Sequence, residues 1–295
     1  MSRRALCILA FLASQALTTQ HSHAADAVKP PFDDDELSKQ DRIYRSRGEQ
    51  RPDGYVIDRS LLSYAYTLPA EFDRSLAALG PNDRWLDIGA GRGQAVLDYV
   101  AGRYDAMNAD KGTGQEAKAQ AVAMSIEDRR TPVWEEAAAR LGPERIRYLS
   151  GRRLSEYPLK ELGQFQLISD VIGGFSYTTT LSMFIERVLS LLEVNGNFYT
   201  VLQDVHAEDG SNKPYYEGSG FLTEIARADG SELKVCPWLK SITCVEVTCE
   251  LKSKWQPPIE VYRIHKTCSD VKVPALSTIF YQAGTPPERR FRLVD

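Results

Sequence analysis

The chain has 295 residues, 43% hydrophobic and 26% charged, the balance of a soluble globular protein long enough to bury a substantial core. A formal net charge of −4, with no dense block of Lys and Arg, argues against nucleic acid as the main partner.

In chain order, Arg3 and Arg4 precede an apolar run over 5–13, and Ser22-His-Ala24 supplies a small-x-small cleavage pattern. Residues 1–24 therefore read as a secretory signal peptide, with a run too short to form a stable membrane span. Ser2-Arg3-Arg4-Ala5-Leu6 also resembles a twin-arginine signal. The expectation is export, to the periplasm or beyond; without processing the chain stays cytoplasmic. Cleavage removes Cys7 and leaves Cys236, Cys244, Cys249 and Cys268. An even count in an exported chain favours disulfides, with three possible pairings, and the absence of any C-x-x-C opposes a zinc site.

Residues 25–83 read as an N-terminal extension. Its first part, 25–54, is polar and contains the acid run Asp33 to Glu36, a loosely packed lead-in. Leu and aromatic spacing then predicts short helices over 61–66 and 72–79, broken at Gly80-Pro81-Asn82.

Over 84–204 the hydrophobic period alternates between strand and helix. Strands are expected at 84–88, 119–126, 145–149, 165–169 and 198–202, and helices at 94–100, 131–141 and 181–192, with a polar inserted loop at 108–115. Thr131-Pro132 marks a helix start, and Asn195-Gly196 a stop. Five strands separated by helices predict a doubly wound, mostly parallel α/β sheet. In 205–295, runs at 244–251 and 259–266 flank Lys252 to Pro258 and predict an antiparallel hairpin completing that sheet.

The densest motif is Asp87-Ile-Gly89-Ala-Gly91-Arg-Gly93, where the first strand turns into its helix. In a doubly wound sheet this is where ligands bind, and glycine lets backbone approach them without a Cβ. A dinucleotide site requires G-x-G-x-x-G; here the third glycine comes one residue early, and Asp87 would repel a pyrophosphate. The pattern suits a positively charged, nucleoside-like ligand.

Asp-x-Gly-x-Gly-x-Gly after a strand resembles motif I of the class I S-adenosylmethionine-dependent methyltransferases, and the resemblance extends through 84–204 and the late hairpin. It implies a Rossmann-like seven-stranded sheet, S-adenosyl-L-methionine as cofactor, and Asp87, Gly89, Gly91 and Gly93 around its methionine end. It also implies an acid at the end of the second strand for the ribose hydroxyls. Glu127 is favoured there over Asp110, whose surroundings are too polar for a buried strand. Where many relatives carry Gly-Asp beside adenine, this chain has Gly151-Arg152-Arg153. The fourth strand ends at Asp170, a position that faces both cofactor and acceptor in the family.

A sulfonium donor needs no protonation of its leaving group, so positioning is the main task, and a base is needed only when the acceptor must lose a proton. Asp170 and His206 are the expected catalytic residues, with Tyr177 and Asp204 also at strand ends. Tyr55, Tyr64, Tyr66 and Phe175 could shield the sulfonium or the acceptor. No Asp/Asn-Pro-Pro-Tyr/Phe follows strand four, and no cysteine stands near the site. The reading is a methyltransferase acting on a small-molecule acceptor, with no metal. Its rivals are a non-catalytic nucleoside-binding protein and a polyamine-synthase-like transferase on the same fold.

Overall fold

The computed structural model describes residues 35–36, 38–39, 59–103, 117–203, 223–254, 258–284 and 287–294. The expected signal, most of the expected lead-in, residues 108–115, Tyr55, Asp110, Asp204 and His206 lie outside the described residues.

Two helices open the described core. Helix α1 (Leu61–Thr67) starts at Ser60, whose hydroxyl accepts from the Ser63 backbone N–H at 3.3 Å. Helix α2 (Ala70–Ala77) follows Pro69 and buries Phe72 and Leu76. Then strands and helices alternate: β1 (Arg84–Ile88), α3 (Gln94–Val100), β2 (Gln120–Met124), α4 (Pro132–Leu141) and β3 (Ile146–Leu149). Helix α4 has the predicted start, with Thr131 capping the Trp134 N–H at 3.2 Å and Pro132 in the first turn. A 3₁₀ turn (Leu154–Glu156) and α5 (Leu159–Leu162) lead into β4 (Phe165–Val171). Helices α6 (Gly174–Tyr177) and α7 (Leu181–Leu191) then precede β5 (Leu192–Leu202).

Strand β5 begins earlier than expected. Helix α7 runs straight into it, and Asn195, at φ 67°, lies inside a β5 whose register against β4 shifts between Phe165 and Leu167. The Asn195-Gly196 signal marks that irregularity, a bulge-like feature in place of a helix stop.

The later strands are β6 (Thr223–Ala226), β7 (Glu232–Leu233), β8 (Val245–Lys252), β9 (Ile259–Lys266), β10 (Leu276–Gln282) and β11 (Glu288–Leu293), with α8 (Val235–Lys240) before β8. The main sheet has seven strands in the order β3-β2-β1-β4-β5-β9-β8. Strands β1 to β5 are parallel, and β9 runs antiparallel to both β5 and β8. This is the predicted sheet and hairpin, a doubly wound, Rossmann-like α/β arrangement with an antiparallel edge. Remaining strands do not complete it: β10-β11-β6-β7 form a separate four-stranded sheet that the sequence reading did not foresee. Its strands are short, and β11 reads Glu-Arg-Arg-Phe-Arg-Leu, with too many charges for an apolar period.

The two sheet faces carry two distinct cores. Trp85, Leu167 and Val171 face a cluster with α1 to α4, while Leu86, Ile88 and Ile168 face one with α7, α8 and the second sheet. The period of two along a strand fixes the faces of the polar residues between them. Asp87 shares the Trp85 face, and Asp170 shares the Ile168 face.

The structure selects one cysteine pairing of the three: Cys236 with Cys249, and Cys244 with Cys268, at Cα separations of 6.2 and 5.0 Å. The first ties α8 to β8, and the second closes the open end of the β8–β9 hairpin. Among the described residues no helix is long and apolar enough to cross a membrane.

Candidate functional site

A cavity of about 670 Å³ opens at the carboxyl ends of β1, β2 and β4. Gly89 and Gly91 line it from the β1 turn, and Ser125 and Glu127 line it from the end of β2. The segment Gly173 to Thr180, a loop that includes the single turn of α6, forms another wall, and Tyr281 of β10 brings the second sheet to the site.

The β1 turn is held from behind. Gly89 has φ +73°, and a Cβ there would lie 2.7 Å from the Gly173 Cα, so the β1 and β4 loops meet backbone to backbone. The hydroxyl of Tyr148 on β3 donates to the Gly91 carbonyl. Gly93 packs against a side chain. It is not part of the cavity lining, and a Cβ there would lie 2.4 Å from the Trp134 ring. That ring in turn meets Tyr148 edge-on at 5.1 Å. Trp134 and Tyr148 support the turn, and no motif marks them in the sequence because their role is packing.

Asp87 lies beneath the turn, fully buried and outside the cavity lining. The Ser169 hydroxyl donates to its Oδ1 at 2.7 Å, and the Tyr64 hydroxyl sits 3.0 Å from both oxygens. Ser169 itself accepts from the Trp85 indole at 2.9 Å. Burial raises the Asp87 pKa from the usual carboxylate range to about 7, against the pull of these hydrogen bonds. The aromatic helix of the extension is thus part of the acid's own cage. Tyr64 belongs to it, whereas Tyr66 is exposed and Phe175 is buried among Phe184 and Tyr262.

Asp170 is also fully buried and outside the lining. Its oxygens accept from the Gly173 N–H at 2.7 Å and the Phe175 N–H at 2.9 Å, fixing the loop that walls the cavity. Burial raises its pKa to about 7 as well. Tyr177, from the same loop, does line the cavity.

Glu127 is the acid that reaches the cavity wall with capacity to spare. Its Oε2 accepts from Arg129 at 2.5 Å, while its Oε1 is buried without a hydrogen-bond partner. A buried carboxylate oxygen in that state is costly unless a ligand donor completes it. Paired ligand hydroxyls are donors of the right kind. Bare glycine backbone, an acid at the end of β2 and this volume together fit a nucleoside.

Among the described residues no histidine lines the cavity. His265 stands on β9 against Asn197, 3.2 Å from its side-chain oxygen. Arg152 and Arg153 do line the cavity, on the β3 side.

No family model matches the chain, and no curated protein matches it. Solved structures similar to it include the N-methyltransferase NodS from Bradyrhizobium japonicum WM9, at 11% identity and a TM-score of 0.41 over 68% of this chain and 94% of that one. An rRNA methylase from Streptococcus thermophilus is similar at 12% identity and a TM-score of 0.39, over 68% and 95%. A geranyl diphosphate methyltransferase in complex with GPP and sinefungin is similar at 16% identity and a TM-score of 0.32. That match covers 45% of this chain and 42% of the relative, less than half of its length.

Proposed function

We propose that this protein is an S-adenosylmethionine-dependent methyltransferase acting on a small-molecule acceptor by in-line methyl transfer. The observation that carries the reading is the unpartnered Oε1 of Glu127 in the same cavity as the bare turn at Gly89 and Gly91. The cofactor supplies, when bound, an electrophilic methyl group on a good leaving group. The chain's own work is then to bind and orient. Glu127 holds the ribose hydroxyls, and Gly89 and Gly91 let the backbone approach the ligand. Asp170 acts from behind, holding its loop in shape, and Asp87 joins β1 to β4 and α1 through Ser169 and Tyr64. Orientation of this kind supplies about 7–11 kcal/mol of a barrier. Where the acceptor must lose a proton, His206 remains the proposed base. The N-terminal signal supports an exported protein, which N-terminal sequencing from fractionated cells checks.

Five arginines (Arg59, Arg129, Arg152, Arg153 and Arg187) line the cavity against two acids, Glu127 and Glu186. That surplus opposes a polyamine acceptor. Calorimetry with S-adenosylmethionine and S-adenosylhomocysteine tests the cofactor: both bind, and Glu127→Gln weakens each by about tenfold or more. A wild-type protein that binds neither ends the proposal. Labelled methyl transfer into a metabolite extract separates an enzyme from an idle binder.

A further inference from the structure

The surplus arginines are not scattered. Two of them meet at Tyr157, just after the 3₁₀ turn, and a third stands at the start of that turn. The Arg187 guanidinium, from α7, donates to the Tyr157 carbonyl. Arg152 lies over the Tyr157 ring, 3.9 Å from its centroid, and Arg153 is the N-cap residue of the turn, its backbone N–H donating to the Glu156 carboxylate. Arg152 is paired with Glu161, and Arg129 with Glu127. Arg187 is different. Its Nε is buried without a hydrogen-bond partner. Burial alone lowers its pKa, and no carboxylate among the described residues offsets that. A half-buried guanidinium with a donor to spare, in a cavity wall, is a site for an anion.

The surroundings of this cluster are apolar. Leu154, Leu159, Met183 and Phe184 line the same cavity. Leu159 and Met183 are 45% and 65% exposed, large apolar side chains held at its mouth without cover.

We infer that the cavity binds an organic anion with an apolar body, its charged group on Arg187 and Arg153 and its body along Leu154, Leu159, Met183 and Phe184. A carboxylate and a phosphate monoester share the chemistry a guanidinium reads. In the methyltransferase reading, on which the role rests, this anion is the acceptor; binding of the anion itself does not depend on that reading.

Titration calorimetry of the full chain with octanoate, octyl phosphate and octanol tests the site, with and without saturating S-adenosylhomocysteine. At least one anion binds about tenfold or more tightly than octanol, and the stronger of the two identifies the anionic group. Arg187→Gln reduces that preference about tenfold or more. Arg153→Gln, at an exposed position, reduces it too without endangering the fold. S-adenosylhomocysteine affinity stays within about twofold in Arg187→Gln. Equal binding of octanol and both anions overturns the inference, as does a preference that survives in both variants. If S-adenosylhomocysteine fails to bind while the Arg187-dependent preference remains, the methyltransferase reading falls and the anion site stands.

Discussion

The Tyr64 hydroxyl reaches both carboxylate oxygens of Asp87 at 3.0 Å, joining the N-terminal extension to the acid beneath the glycine turn. The contact exists because Asp87 shares the sheet face of Trp85, toward α1, where Phe72 meets the Tyr64 ring at 6.1 Å and the Trp85 ring at 6.3 Å. Tyr64→Phe leaves a buried carboxyl short of one donor and costs about 1–3 kcal/mol of stability. Urea denaturation measures it; an unchanged midpoint removes Tyr64 from the cage.

Asp87 also gives stability a pH dependence. Its pKa rises from 3.8 in the unfolded chain to about 7 in the folded one, so between these values the folded state holds the extra proton. Its contribution is fully present below about pH 4 and is lost as pH rises through about 7. Asp170, raised to about 7 by its own burial, acts in the same direction. Relative to wild type, Asp87→Asn is therefore more favourable at pH 8 than at pH 5. Denaturant melts at the two pH values that show the same difference between the proteins contradict a raised pKa.

Gly93 is constrained by both backbone and packing. At φ 79° and ψ 23° it is left-handed, and a Cβ there would meet the Trp134 ring at 2.4 Å. Gly93→Ala costs about 1–2 kcal/mol of backbone strain and an overpacking penalty of about 1–3 kcal/mol besides. In a Trp134→Leu background, thermal melts show only the smaller, strain-derived loss; an equal loss in both backgrounds means that Trp134 does not brace the turn.

Arg289 of β11 is fully buried, and its guanidinium donates to the carbonyls of Phe175 at 2.9 Å and Thr178 at 2.8 Å and to the Thr223 hydroxyl at 2.7 Å. It fastens the second sheet to the loop that walls the cavity. Arg289→Met lowers stability by about 3 kcal/mol and speeds amide hydrogen exchange in 173–180 more than in β1 and β4. Uniform acceleration along the chain assigns Arg289 to general stability and not to this loop.

Both cysteine pairs lie in the last quarter, across sequence separations of 13 and 24. A thiol count on unreduced protein finds none free among Cys236, Cys244, Cys249 and Cys268, and full reduction costs about 2–4 kcal/mol per bond. Four reactive thiols under native conditions end the disulfide assignment.

Much of the architecture is legible in the residues because it is local. Alternating periods locate five parallel strands and a hairpin, and Thr131-Pro132 and the glycine turn mark where helices begin. The faces of the strands follow from the same period, but what stands opposite each face does not. Asp87 and Asp170 look like ligand-facing acids at two strand ends; only the packed molecule gives one to Tyr64 and Ser169 and the other to the N–H groups of Gly173 and Phe175. The second sheet, the meeting of Arg152 and Arg187 at Tyr157, and the choice among three cysteine pairings are also tertiary facts. Each depends on residues far apart in the chain, and their meeting is decided by how two cores close over opposite faces of one sheet, which no short-range pattern records.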